Sequence, residues 1–106
     1  MGDQMIVFEA IKTTGQAITS MIQCVRSKKA VRKQDIVICE EQLRFIKAAF
    51  REKACGEMTR ISIDEMERTI HRIEEKNFSG DMVLMSLELL NLQHQGMCKI
   101  IRSFID

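Results

Sequence analysis

Forty consecutive residues, Gln16 to Cys55, contain neither glycine nor proline, and the 106-residue chain has no proline anywhere. All-β folds reverse the chain roughly every 8–12 residues and draw on Gly, Pro and Asn to do so. A stretch of this kind cannot be cut into short strands, so sandwiches and barrels are excluded and helix is the regular structure left. An unbroken helix over the whole stretch would span about 60 Å and leave the molecule extended. The apolar pattern lapses at Ser27–Lys29, which is where the sequence predicts a break.

Four helical segments follow, over about 4–26, 31–55, 63–77 and 80–104, and they predict an all-α antiparallel four-helix bundle in one domain, 1–106. In the first, Val7, Phe8, Ile11, Ile18, Met21, Ile22 and Val25 fall within less than half of the helical circumference, and Asp3 is positioned to cap it. Gly15 lies inside that arc and invites a close approach by another element. The second has a narrow stripe of Ile36, Cys39, Leu43, Ile46 and Phe50, with Gly56 expected just past its end in the left-handed region. In the third, Ser62-Ile63-Asp64-Glu65 reads as a capping box, so the helix is expected to start at Ser62, with Ile61 and Met66 as its hydrophobic staple. Ser79 is expected to cap the fourth, with Phe78 and Val83 as staple.

The charge balance is +1, which gives no overall case for nucleic acid or a membrane surface. The halves differ: residues 1–53 carry ten basic and six acidic side chains, and residues 54–106 carry six and nine. No apolar run is long enough to span a membrane. The segment Met1 to Ala10 has no basic residue and makes a poor secretory signal, so the expected location is cytoplasmic. Cys24, Cys39, Cys55 and Cys98 are widely spaced, with no Cys-x-x-Cys, and are expected as free thiols.

Chemistry has little to build on. The sequence offers no glycine-rich phosphate loop, no Gly-x-Ser-x-Gly and no paired catalytic carboxylates, so no catalytic residue and no cofactor is expected and the chain reads as a non-enzyme. His94 and Cys98, and Glu67 and His71, share helical faces at i, i+4, but a zinc site needs four ligands. His94 reads better as a hydrogen-bonded core residue, and no metal is expected.

The strongest functional signal is in the fourth helix. Eight of the eleven residues from Met82 to Leu92 are apolar and point in nearly every direction on the helix. A helix apolar all round is covered all round. Either it is the central helix of the bundle or a second apolar face is covered by another chain. The second alternative predicts a protein–protein interaction module, cytoplasmic and regulatory, that presents Leu84, Met85, Leu87, Leu89 and Leu92, together with helix one. Its partner would be a second copy of the chain, making a homodimer, or another helical protein. The alternative function is a small dimeric nucleic-acid-binding regulator using Arg26, Lys28, Lys29, Arg32 and Lys33, five positive charges in eight residues. Residues 7–26 can also be laid on a helix-turn-helix template with Gly15 at the turn, though that face carries apolar side chains instead of base-reading ones.

Overall fold

The computed structural model describes the backbone of residues 2–105 and the side chains of residues 5–104. Four α-helices make up most of the described chain, with no strand among the described residues. They are α1 (Gly2–Arg26), α2 (Lys33–Ala49), α3 (Gly56–Glu75) and α4 (Asp81–Ile105). Together they form an antiparallel four-helix bundle in which α1 packs beside α2 and α4, and α3 beside α4 and α2. The α1–α2 and α3–α4 hairpins are the intimate pairs, and the α2–α3 seam is the thinnest. The long axis of 41 Å is close to the length of a 25-residue helix at about 1.5 Å per residue, so α1 and α4 run the full length of the bundle.

Each helix faces the core with residues three or four positions apart. Ile18 and Met21 of α1, Leu43 and Ile46 of α2, Ile63, Met66 and Ile70 of α3, and Leu87, Leu90 and Met97 of α4 are fully buried. This is the stripe expected for α2 and, except for Phe8, which is exposed, for α1, and it comes from the helical repeat alone.

The break between α1 and α2 falls where the apolar pattern lapses. The Lys29 N–H donates to the Cys24 carbonyl at 2.8 Å and the Lys28 N–H to Val25 at 3.0 Å, with Lys28 in the left-handed region at φ 63°. This is a Schellman ending with lysine where glycine is usual. The end of α3 repeats it: Asn77 has φ 59° and the Phe78 N–H reaches back to the Ile73 carbonyl at 3.1 Å. The two turns are joined by the Val31 N–H donating to the Phe78 carbonyl at 2.7 Å.

Several local expectations are corrected. α3 begins at Gly56 and runs straight through Ser62, so the capping box is not used. The physical reason lies upstream of Ser62. Thr59 continues the buried stripe back from Ile63, and Arg60 bridges Glu57 and Asp64 at 2.6 and 2.8 Å, both of which require unbroken helix from 57 to 64. Ile61, the expected staple, is exposed. Gly56 is not in the left-handed region: α2 already ends at Ala49, and Gly56 is the first residue of α3. A glycine is needed there because a Cβ would lie 2.5 Å from the Phe50 carbonyl oxygen and 2.7 Å from that of Arg51.

At the start of α4, Gly80 holds the position expected of Ser79. Its carbonyl accepts from Leu84 N–H at 3.1 Å, and its φ of 97° suits only glycine. Finally, α1 passes through Gly15 without a turn, and Ala17, Ile18, Met21 and Val25 are buried, so no helix-turn-helix exists in 7–26. The expected cap at Asp3 falls inside α1, and its side chain lies outside the described residues.

Candidate protein interaction face on α4

α4 is neither a central helix nor buried all round. Its inward row is Val83, Leu87, Leu90, Met97 and Ile101. Successive members are three, four or seven residues apart, which keeps them on one side of the helix. A second row, Met82, Met85, Leu89 and Leu92, steps by three, four and three and points to solvent. Met85 is 62% exposed and Leu92 63%, values that no neighbouring helix of the same chain reduces. The row continues at the same spacing through Gly96, where a Cβ would meet nothing within 4 Å, to the exposed Lys99.

Of the five residues expected at an interface, Met85, Leu89 and Leu92 stand on this outward row. Leu84 is half-buried and packs against the core. Leu87 does not belong to the face: it is 0% exposed, enclosed by its own chain between α1 and α3. The difference is one of angle. At about 100° per residue, Leu87 points in nearly the same direction as Val83 and Leu90, whereas Leu89 and Leu92 point to the opposite half of the helix. Counting apolar residues could not separate them, and the three-and-four spacing divides the run into two rows without saying which of them the bundle covers.

Two residues of the face were missed because they come from α3. Met58 and Ile61 are about half exposed and, with Gln93 and Gly96 of α4, line a shallow depression of about 350 Å³. The α3 and α4 rows are held side by side by Thr69, whose hydroxyl donates to Gln93 Oε1 at 2.9 Å. The apolar face thus spreads from α4 towards the start of α3, away from α1.

A different apolar surface lies at one end of the bundle. α2 is roughly two turns shorter than α1 and α4. Its early end leaves an open cleft of about 680 Å³ lined by Ile6, Phe8, Phe45, Phe50, Lys53 and Phe104.

The polar candidates are largely occupied within the chain. Arg26 pairs with Glu88 at 3.7 Å, joining α1 to α4. Arg32 donates to Ser20 at 3.1 Å and pairs with Asp35 at 3.7 Å, and Lys33 stands 5.5 Å from the centroid of the Phe78 ring. Lys28 and Lys29 are exposed, and no ion pair holds them among the described residues. The basic cluster is therefore a turn whose charges mostly serve the junction they sit on.

His94 fills the space above Gly15, where a Cβ would come within 3.0 Å of the ring. Its Nε2 lies 3.0 Å from the Ile11 carbonyl oxygen, which can only accept, so Nε2 donates and ties α4 to α1. Nδ1 then faces the Cys98 sulfur at 4.0 Å. Burial pushes the Cys98 thiol up from its ordinary range, against the pull of Arg102, so the pair does not favour a thiolate. Cys39, fully buried beside Asp35 and Glu40, is pushed up to about 12 by burial first and those carboxylates second. All four cysteines are free thiols. Among the described residues no three His, Cys, Asp or Glu side chains converge to hold a metal, and no helix is long and apolar enough to cross a membrane.

In comparison with known proteins, no protein-family model matches the chain, and neither a curated protein nor a solved structure resembles it significantly.

Proposed function

We propose that this protein is a non-enzymatic, cytoplasmic interaction module that works by presenting the outward face of α4 to the apolar face of a second helical chain. The single observation that carries the reading is the row Met82, Met85, Leu89 and Leu92, standing in water at a spacing that matches a helix-pairing seam. Fully burying one such side chain contributes about 1.5–3 kcal/mol, so leaving a row of them exposed is both a binding potential and an aggregation liability. Methionines at two of the four positions suit a surface that adapts to its partner. A stable partnership would cover about 800 Å² on each side, more than the α4 row alone supplies, and Met58 and Ile61 extend the surface in the required direction.

The test is site-specific photo-crosslinking. A photoreactive phenylalanine derivative at Leu92 should yield a covalent protein adduct in cells at native expression level. The same group at Glu41, exposed on α2, should yield none. Leu89→Glu should retain the helical spectrum and abolish the adduct from position 92. No adduct from position 92 under any condition would overturn the reading.

A further inference from the structure

We infer that the occupant of the α4 face is a second copy of this chain, packed with its α4 antiparallel to the first and with Leu89 opposite the partner's Leu92. The inference rests on the reading of α4 as an interaction face and adds what covers it.

The support is charge complementarity along one edge of the row. The seam positions are Met82, Met85, Leu89, Leu92, Gly96 and Lys99, in a three-four repeat. Flanking them on the α1 side, seven residues apart, are Asp81, Glu88, Gln95 and Arg102, all exposed. Their charges run from negative at the start of α4 to positive at its end. Flanking the seam on the α3 side are Ser86, Gln93 and Ile100, with no charge.

In an antiparallel pair related by a two-fold axis, each edge meets the same edge of the partner in reverse order. The register that sets Leu89 against the partner's Leu92 sets Met85 against the partner's Gly96, a large side chain into a gap. It sets Met82 against the partner's Lys99, whose aliphatic stem can cover a thioether. On the edge it sets Asp81 against the partner's Arg102 and Glu88 against the partner's Gln95. Glu88 needs no charge from the partner, because Arg26 of its own chain already stands 3.7 Å away. On the other edge Ser86 meets the partner's Gln93. Each of these pairings occurs twice.

The parallel arrangement fails on the same residues. It brings Lys99 against the partner's Lys99 and lays the charged edge along the uncharged one, leaving Asp81 and Arg102 without partners. A row that is complementary to its own reverse is what an isologous interface requires, and an unrelated partner would impose no such symmetry on it.

The experiment is sedimentation equilibrium of the full chain as wild type, Asp81→Arg, Arg102→Asp and the double variant, at low ionic strength where edge charges are least screened. Helical content is followed for each. The wild type should have the mass of a dimer. Each single variant creates two like-charge pairs and should weaken dimerisation by about tenfold or more. The double variant, which keeps the wild-type net charge, should recover it. An equimolar mixture of the two single variants should form a heterodimer tighter than either homodimer, because both edge pairs are then restored. A dimer in which the single variants have no effect, or in which neither the double variant nor the mixture recovers, overturns the antiparallel pairing. A wild type that stays monomeric at all concentrations overturns the second copy as occupant. In that case an adduct from Leu92 to a different protein would leave the interaction reading standing, and no adduct at all would remove both.

Discussion

Leu87 and Leu92 lie on the same helix, five positions apart, in the same run of apolar sequence. One is sealed by its own chain and the other stands 63% exposed. Their rows have the same chemistry and nearly the same spacing: Val83, Leu87, Leu90, Met97 and Ile101 inward, and Met82, Met85, Leu89 and Leu92 outward. The difference is only which neighbours the fold supplies. α1 and α3 close over the first row, and nothing among the described residues closes over the second. An apolar helix face is therefore not by itself a core face. It becomes one when another element of the same chain reaches it, and otherwise it remains available to a different chain.

The most forceful way to break this comparison is to truncate both rows. In a Leu89→Glu background, which removes pairing, Leu87→Ala should lower unfolding stability by about 2–5 kcal/mol through lost burial and a cavity. Leu92→Ala in the same background should change it by less than about 0.5 kcal/mol. Urea titration followed by circular dichroism measures both, and equal losses would mean the two faces are not distinct.

Two glycines sharpen the contrast. Gly15 lies under His94 on the inward side of α4, and Gly96 is on the outward side. Gly15→Ala should destabilise the fold, because the new methyl presses on an imidazole held by the Ile11 carbonyl and that overpacking, about 1–3 kcal/mol, outweighs the helix-propensity gain of about 0.5–1 kcal/mol. Gly96→Ala meets open space and should stabilise the isolated chain by about 0.5–1 kcal/mol through helix propensity. The same substitution should thus have opposite signs at the covered inward side of α4, where α1 meets it, and on its open outward side.

The smallest effect is expected furthest from α4, at the thin α2–α3 seam. There Lys47 donates to Asp64 at 2.8 Å and to Glu67 at 2.9 Å, with all three side chains about a third exposed. Hydrogen bonding from Lys47 holds the Asp64 carboxyl below its ordinary value, and the bond to Asp64 raises the Lys47 ammonium above its own. A lowered carboxylate stabilises the fold above the ordinary carboxylate range and loses that contribution as pH falls through its folded value. A raised lysine contributes below its ordinary value of about 10.4 for as long as Asp64 and Glu67 stay ionised, and loses the contribution above it. Lys47→Met should therefore cost a few tenths of a kcal/mol at neutral pH, about what a surface pair contributes. The difference from wild type should vanish in acid, as seen in melting curves across pH. A loss as large as that of Leu87→Ala would mean that charge, and not the buried rows, closes the bundle.

Local chemistry determined a large part of this protein. The lack of proline and the scarcity of glycine leave only helix, the lapse at Ser27–Lys29 ends α1, and the three-four spacing of Ile36, Cys39, Leu43 and Ile46 marks the buried side of α2. These follow from interactions within about four residues, which any segment carries wherever it is placed. The candidate face was legible only as an excess of apolar residues in Met82–Leu92. The tertiary structure decided the rest. It put Leu87 inside and Leu92 outside, ran α3 past a well-formed capping signal at Ser62 because Thr59 had a core to enter, and used Gly56 for a backbone approach instead of a turn. The physical reason is common to all three. Burial, and the free energy that goes with it, depends on elements far apart in sequence, and a short window of residues carries no record of what will be packed against it.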